Sequence, residues 1–198
     1  MNELASTHLA APVFADIEAA ATRLKGEVVR TPLLEAPLLN EKLGGRLLVK
    51  PECLQRTGSF KYRGAFNRLS LIPEADRARG VLAYSSGNHA QGVAAAAALL
   101  GAPATIVMPA DAPAIKIENT RGYGAEVVTY DRWTENREAI AAALADDARC
   151  KISSTPDVLG SNERSSIAAE VDRGVWKRVG LVRCGVDVCV RGMVRARR

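Results

Sequence analysis

The feature that most constrains the fold is an alternation, over residues 80–147, of short apolar runs with segments of helical length. Three runs have the length and composition of buried strands: GVLAY (80–84), ATIVMP (104–109) and AEVVTY (125–130). Helical patterns follow them at 89–101, around 114–121 and at 134–147. Gly101 is expected to end the first helix, and Thr134 to cap the third. This order predicts an α/β fold in which parallel sheets are flanked by helices.

The sequence before this unit predicts one helix and one further strand. An apolar helical face is formed within residues 13–25 by Val13, Ile17, Ala20, Ala21 and Leu24. RLLVK (46–50) is expected to be a buried strand. With 198 residues, 47% of them hydrophobic, the chain can bury a core in one domain or in two small ones.

Charge divides the chain unevenly. Residues 1–150 hold 17 basic and 17 acidic side chains, whereas residues 151–198 hold 10 and 5 and so carry the whole net charge of +5. From about residue 174 the sequence keeps neither a helical nor an alternating period. This basic tail is interpreted either as an edge strand with a solvated end, or as residues that were never selected as part of the fold.

Lys61, within TGSFKYRGA, is the first candidate for chemistry. A lysine amine becomes a nucleophile toward carbonyls when a dry pocket and a neighbouring cation remove its proton. Arg63 is the nearby cation, and Phe60 offers a flat apolar neighbour for an aromatic cofactor. The alternative is that Lys61 and Arg63 are exposed charges on an amphipathic helix.

The second candidate is the segment SSGNHAQG (85–92), which follows a predicted strand and leads into a helix. Ligands of parallel sheets bind at the carboxyl ends of strands, and backbone N–H groups at a helix start suit an anion. Asn88 can donate or accept and could hold a phenolate-like oxygen. Ordinary helix capping explains one such residue, but not four small or polar residues in succession.

Several other classes of site are not supported. The four cysteines are scattered without a C-x-x-C pair and only two histidines are present, so no metal site is expected. Unpaired thiols and the absence of a signal-peptide pattern favour the cytoplasm. No apolar run is long enough to span a membrane, and the neutral first 150 residues argue against nucleic acid.

The two segments, in this order and spacing, resemble a known family. RTPLLEAPLLNEKLGGRLLVKPECLQRTGSFKYRGAFN followed by SSGNHAQGVAAAAALLGAPATIVMPADAPAIKIENTRGYGAEVV is similar to the threonine/serine dehydratases (threonine ammonia-lyases). These are pyridoxal-phosphate enzymes of the tryptophan-synthase-β fold type. The resemblance covers roughly residues 15–150 and extends weakly to 173.

The resemblance implies a cofactor, a reaction and a role for each candidate residue. Pyridoxal 5′-phosphate would be held by Lys61, which later acts as the base at the substrate α-carbon, with Phe60 lining the ring. Asn88 would bind the cofactor's 3′-oxygen. The loop that grips the substrate carboxylate would comprise Ser85, Ser86, Gly87, Asn88 and His89. The implied reaction turns L-threonine or L-serine into a 2-keto acid and ammonia.

The resemblance also implies a domain division, which fails near the carboxyl end. Residues 1–57 would begin the larger domain, 58–150 would form the smaller α/β domain, and 151–198 would begin the return to the larger domain. Relatives continue into a glycine-rich loop that binds the cofactor phosphate. Here Gly180, Gly185 and Gly192 are scattered among valines and arginines, so we expect a truncated or frameshifted copy with little or no activity.

Other functions remain open at this point. A non-catalytic α/β binding protein could keep the small domain and use the basic tail for an acidic partner. A serine racemase-like pyridoxal-phosphate enzyme is a second possibility. The family resemblance leaves room for a homo-oligomer, and the expected ligand is a small hydroxy-amino acid.

Overall fold

The computed structural model describes residues 14–146, 153–154, 182–185 and 188–191. Its helices are α1 Phe14–Leu24, α2 Pro37–Leu43, α3 Lys61–Leu69, α4 Glu74–Arg77, α5 Asn88–Leu99, α6 Ala114–Gly122 and α7 Arg137–Asp146. Its strands are β1 Leu34–Glu35, β2 Leu48–Lys50, β3 Val81–Tyr84, β4 Ala104–Pro109, β5 Glu126–Tyr130, β6 Ser153–Ser154, β7 Val182–Gly185 and β8 Val188–Arg191. Two short 3₁₀ turns, Glu52–Leu54 and Arg56–Gly58, connect β2 to α3.

A parallel sheet carries the alternating unit that the sequence predicts. Its strand order is β5-β4-β3-β6, and β4 pairs in parallel with both β3 and β5. Alternate residues face opposite sides because side chains in a strand alternate. Ile106 packs in the cluster that contains α3 and α5, whereas Val107 packs in the cluster that contains Ala141 of α7. Helices therefore cover both faces, and the predicted α/β class with parallel strands is confirmed.

A second sheet is antiparallel and joins distant parts of the chain. Its order is β1-β2-β8-β7, with Val49 opposite Val190 and Lys50 opposite Cys189. Eight residues of the basic tail thus lie in strands, β7 at the edge and β8 inside the sheet. The valines of this segment suit strands, which explains why a tail without clear periodicity still pairs.

Three local predictions need correction. The N-cap of α7 is Asn136 and not Thr134, since Asn136 Oδ1 accepts the backbone N–H groups of Glu138 (2.8 Å) and Ala139 (3.1 Å). Strand β2 begins at residue 48, and of its three residues only Lys50 is buried. Helix α5 begins one residue earlier than predicted; its end is as predicted, since Gly101 follows the C-cap Leu100 with a φ of 69° and the Ala102 N–H donates to Ala97 O at 2.9 Å.

Helix α1 matches its predicted apolar face in part. Ala20 and Leu24 are buried, Ile17 is half-buried, and Val13 lies outside the described residues. In the described part of the chain, no helix combines the length and the apolar character that crossing a membrane requires.

Candidate functional site

Lys61 is the first residue of α3 and follows a strained turn. Thr57, in that turn, has a φ of 63°, and it is the one non-glycine residue with positive φ among those described. Such backbone costs free energy and persists where surrounding contacts over-determine it. The Lys61 backbone N–H lies 3.4 Å from Ser59 Oγ, and the Ser59 side chain is buried. The turn before Lys61 thus fixes the position of the Lys61 backbone.

The side chain of Lys61 is half-buried beside an aromatic ring. Its Nζ lies 5.0 Å from the centroid of the Phe60 ring. Arg63, two residues later, is fully buried and paired with the carboxylate of Glu52. The alternative that these are exposed charges on an amphipathic helix is therefore wrong for Arg63. Because Glu52 balances its charge, Arg63 is also not the uncompensated cation expected beside Lys61.

The predicted loop divides into a true loop and a helix start. Ser85, Ser86 and Gly87 connect β3 to α5, while Asn88 and His89 lie in the first turn of α5. The backbone N–H of Ser85 donates to Val107 O (3.0 Å), which holds the loop against β4. The carboxyl ends of the strands and the start of α5 therefore meet, as expected for a ligand site in a parallel sheet.

His89 is buried, and its protonation is set by this environment. Burial, together with the nearby positive charge of Lys61, lowers the pKa of His89 to about 4. The imidazole is therefore neutral at physiological pH. The influence of Lys61 on His89 also shows that the starts of α3 and α5 lie close to each other.

Gly92 explains how α3 and α5 come so close. A Cβ at Gly92 would lie 3.2 Å from the carbonyl carbon and oxygen of Lys61 and from the backbone nitrogen of Tyr62. These are backbone atoms, which cannot move aside without displacing the start of α3. The glycine at the end of the SSGNHAQG segment therefore lets α5 lie directly against the lysine segment.

Asn88 is held by a residue that the sequence analysis did not single out. Its Oδ1 accepts a hydrogen bond from the Nζ of Lys116 in α6. An ammonium can only donate, so this contact identifies the Asn88 amide oxygen as the acceptor and fixes the orientation of the amide. The available signal was position, since Lys116 follows the carboxyl end of β4 as Asn88 follows that of β3.

A cavity of about 420 Å³ opens at the carboxyl ends of β3, β4 and β5. Its lining includes Ser85, Ser86, Tyr130, Arg132, Asn136 and Arg137. The other predicted site residues, Phe60, Lys61, Gly87, Asn88 and His89, are not part of this lining. The sequence analysis missed both arginines, although Arg132 lies just beyond the carboxyl end of β5 and Arg137 begins the following helix, where ligand-binding residues are expected.

The two arginines of the cavity differ in how far their charge is satisfied. Arg132 donates from both Nε and Nη2 to Asp111 Oδ1, each at 2.8 Å. Arg137 lies with its guanidinium carbon 5.1 Å from the centroid of the Tyr84 ring, and its contact with Glu138 is long at 3.5 Å. Arg137 is therefore the better placed of the two to bind an anionic group.

The residues around Lys61 fit the ring of the implied cofactor. An amine, a flat phenyl ring and an amide N–H₂ are the groups that an aromatic aldehyde with a phenolic oxygen requires. Two side-chain atoms on the adjoining segments, Thr57 Oγ1 and Gln91 Nε2, are buried without a hydrogen-bond partner among the described residues. Buried polar atoms are normally paired, so polar ligand atoms would suit this region.

The phosphate of that cofactor has no comparable cradle among the described residues. Gly185 ends β7 and lies opposite Val188 in the β7–β8 pair. Gly180 and Gly192 lie outside the described residues. A glycine in a strand pair is engaged by its partner strand and does not form a loop of converging N–H groups.

Comparison with known proteins agrees with the fold and the cofactor class. A family model described as "Pyridoxal-phosphate dependent enzyme" matches residues 24–193. An L-threo-3-hydroxyaspartate ammonia-lyase of Pseudomonas is 58% identical over 131 residues, which are 66% of this chain and 41% of the relative. An L-threonine ammonia-lyase of Thermotoga maritima is 53% identical over 129 residues, or 65% of this chain and 32% of the relative. The chain thus spans about two fifths or less of these two relatives.

A solved structure extends this agreement to the backbone. The maize serine racemase superposes with a TM-score of 0.77 at 33% sequence identity, covering 85% of this chain and 51% of that one. The predicted tryptophan-synthase-β-like fold and the predicted pyridoxal-phosphate cofactor class are confirmed at this level. The relatives of this chain include ammonia-lyases and racemases that act on small amino acids. With a family model matching most of its length, the chain belongs to the pyridoxal-phosphate dependent enzymes.

Proposed function

We propose that this chain carries the site of an ammonia-lyase that eliminates water from a 3-hydroxy amino acid and then adds water back as ammonia leaves. The observation that carries the proposal is the placement of half-buried Lys61, at the start of α3, against Phe60 and close to the first turn of α5. Bound pyridoxal phosphate would supply an electron sink for the pair released at the substrate α-carbon. The products would be a 2-keto acid and ammonia.

In this proposal each chain residue has a limited task. Lys61 holds the cofactor and then moves the proton at the substrate α-carbon, as its amine and position allow. Asn88 donates its N–H₂ to the cofactor's 3′-oxygen, in the orientation that Lys116 imposes. Ser85, Ser86 and Gly87, with the first turn of α5 at Asn88 and His89, bind the substrate carboxylate through hydroxyl and backbone N–H groups.

Among the 3-hydroxy amino acids, we infer that L-threo-3-hydroxyaspartate fits better than L-threonine or L-serine. It has a second carboxylate, and Arg137 offers a guanidinium in the same cavity as Ser85 and Ser86. Arginine binds carboxylates in a bidentate geometry. The 58% identity with the Pseudomonas L-threo-3-hydroxyaspartate ammonia-lyase supports the same choice.

A serine racemase-like reaction is the second candidate, favoured by the backbone match to the maize serine racemase. Both reactions begin with loss of the α-proton, so the products distinguish them. A racemase would accumulate D-serine from L-serine, whereas the lyase yields a keto acid that a hydrazine reagent detects.

The lysine assignment is tested by reduction and peptide mapping. Purified 198-residue chain is incubated with pyridoxal phosphate, reduced with borohydride and digested. We expect the pyridoxyl group on Lys61, no label there in Lys61→Ala, and wild-type labelling in the surface control Lys25→Ala. Label on Lys50 or Lys116 with none on Lys61 would sink the assignment.

Substrate preference is tested by binding, because turnover is expected to be weak. The described residues form no glycine cradle for the phosphate, and each lost charge-assisted hydrogen bond costs about 1.5–3 kcal/mol. We expect L-threo-3-hydroxyaspartate to raise the melting temperature of the cofactor-loaded chain more than L-threonine does. Arg137→Met should remove that difference, and Arg121→Met on α6 should keep it. Equal shifts in the wild-type chain would favour a monocarboxylate substrate.

A further inference from the structure

We infer that the buried ion pair between Glu52 and Arg63 is the device that positions Lys61, so that both are positioning residues for the amine. The inference rests on the proposed function, in which Lys61 binds the cofactor. Arg63 follows Lys61 by two residues in α3, and Glu52 lies in the first 3₁₀ turn after β2. Neither residue has a place in the proposed chemistry.

The pair has the geometry of a rigid clamp. Arg63 Nε lies 2.6 Å from Glu52 Oε2, and Arg63 Nη2 lies 2.8 Å from Glu52 Oε1. Both side chains are 0% exposed. A bidentate guanidinium–carboxylate pair fixes orientation as well as distance, and burial protects it from screening by salt.

The same carboxylate connects α3 to two other parts of the chain. Thr31 Oγ1 donates to Glu52 Oε1 at 2.6 Å, and Lys50 Nζ lies 3.8 Å from that oxygen. Lys50 Nζ also donates to Thr31 O at 2.8 Å. Arg63 Nη2 completes the connection by donating to Val29 O at 3.1 Å. Strand β2, the segment 29–31 and α3 are thus joined around one charge.

A second anchor lies on the other side of Lys61. The Gln55 side chain accepts the Val29 N–H (2.9 Å) and donates to the Val29 carbonyl (2.8 Å). Gln55 Oε1 also accepts the Arg56 N–H at 3.0 Å, at the start of the strained turn that contains Thr57. In the sequence, Lys61 therefore lies between Gln55 and Arg63, whose side chains both hydrogen-bond to the backbone of Val29.

The carboxylate of Glu52 is ionised, so both partners of the pair are charged. Burial by itself raises the pKa of Glu52, but the hydrogen bonds and charge of Arg63, aided by Thr31 and Lys50, outweigh burial and lower it. Glu52 is therefore ionised at neutral pH. A buried ion pair contributes little stability compared with well-packed apolar side chains, so its value here is geometric.

The test removes the whole charged cluster at once, which avoids leaving one buried charge alone. The variant is the full chain with K50M, E52M and R63M combined. Two quantities are measured: its melting temperature, and the rate at which pyridoxal phosphate becomes attached to Lys61, with borohydride reduction used to trap the product. We expect a melting temperature near that of the wild type and a labelling rate lower by roughly tenfold or more, because small misplacements of reacting groups have large rate effects.

A surface ion pair supplies the matched control. Glu35 and Arg46 also form a two-point contact, with both oxygens at 2.8 Å, but Arg46 is 71% exposed. The double variant E35Q/R46M should label Lys61 at the wild-type rate. R63K, which keeps the charge and loses the fork, should label more slowly than wild type while it remains folded.

The outcomes separate this inference from the proposed function. If the wild-type chain is labelled on Lys61, and R63K and the triple variant are labelled at the same rate as the wild type, this inference is overturned and the proposed function is not. If the triple variant is unfolded, R63K decides, compared with wild type at equal folded fraction. A wild-type chain that takes no label on Lys61 would refute the proposed function and this inference with it.

Discussion

At the scale of the residue, His89 illustrates how burial determines chemistry. The imidazole lies in the first turn of α5, in an environment that disfavours its protonated form through burial and the charge of Lys61. A neutral imidazole can donate from one nitrogen and accept at the other. His89 can therefore serve in a substrate-binding segment without adding a second cation beside the amine of Lys61.

The low pKa of His89 predicts a pH-dependent stability. In the unfolded chain His89 has a pKa of about 6.5, whereas in the folded chain its pKa is about 4. Between these two pH values the unfolded chain is protonated at His89 and the folded chain is not. Stability is therefore complete above about pH 6.5 and falls as the pH drops, by about 2 kcal/mol between pH 7 and pH 5. Urea unfolding at both pH values measures this loss.

The variant His89→Gln is the comparison, since glutamine has a similar polarity and does not titrate. Its free energy of unfolding should change less between the two pH values than that of the wild type. Glu52 does not contribute to this difference, because its pKa is lowered and its protonation therefore affects stability only at more acidic pH. Identical pH slopes in both proteins would contradict the assignment of the effect to His89.

At the scale of the element, the site depends on the contact between α3 and α5. Both helices begin at candidate residues, and a Cβ at Gly92 would press on the Lys61 backbone at 3.2 Å, so glycine suits this close approach. Alanines on α5 extend this close contact, with Ala90, Ala94 and Ala97 fully or almost fully buried in the shared core. Small residues thus bring two polar helix starts together.

Gly92→Ala is expected to disturb this contact. The added Cβ would press on the Lys61 carbonyl at 3.2 Å, and overpacking of this kind costs about 1–3 kcal/mol. Urea unfolding should show that loss, and borohydride labelling of Lys61 should slow. Gly122→Ala at the end of α6, where nothing lies within 4 Å of the new Cβ, is the control and should change stability by less than about 1 kcal/mol.

The start of α7 offers a second prediction at this scale. Asn136→Ala removes the acceptor for two backbone N–H groups and should cost about 1 kcal/mol of unfolding free energy. Thr134→Ala should leave stability unchanged, because Thr134 lies before the cap. A larger loss from Thr134→Ala than from Asn136→Ala in thermal melts would overturn this assignment of the cap.

At the scale of the whole molecule, two sheets of different kind share one chain. The parallel sheet has helices on both faces, whereas helix α2, near the antiparallel sheet, has no buried residue. Leu34 of β1 and Leu38 and Leu39 of α2 are exposed, Leu38 by 77%. We call these three exposed leucines the leucine surface; exposed apolar side chains promote association where they lie together.

This surface predicts limited solubility for the 198-residue chain. Leu38→Glu should reduce self-association, because it places a charge at the most exposed leucine of α2. Light scattering of concentrated samples measures the change. The control is Ile115→Glu on α6, an apolar residue that is 58% exposed but outside the leucine surface, which should have a smaller effect. Equal effects would show that α2 is not the main source of association.

The sequence by itself determined the parallel unit and the family. Strand and helix periods are local properties, so the runs at 80–84, 104–109 and 125–130 could be assigned from spacing alone, within a residue or two. The motifs around Lys61 and Asn88 were specific enough to predict the cofactor class. The proximity of their two helix starts did not follow from the parallel-strand rule, because α3 comes after β2 of the antiparallel sheet and two 3₁₀ turns.

Only the tertiary structure decided which charged residues are buried and which meet. Glu52 and Arg63 look like surface residues in the sequence, and their burial depends on contacts with Val29 and Thr31, more than twenty residues away. The placement of Arg137 in the same cavity as Ser85 and Ser86 likewise requires the fold, since it brings together segments about fifty residues apart. The physical reason is that a charge enters a core only when partners from distant segments replace its water, and no local pattern records those partners.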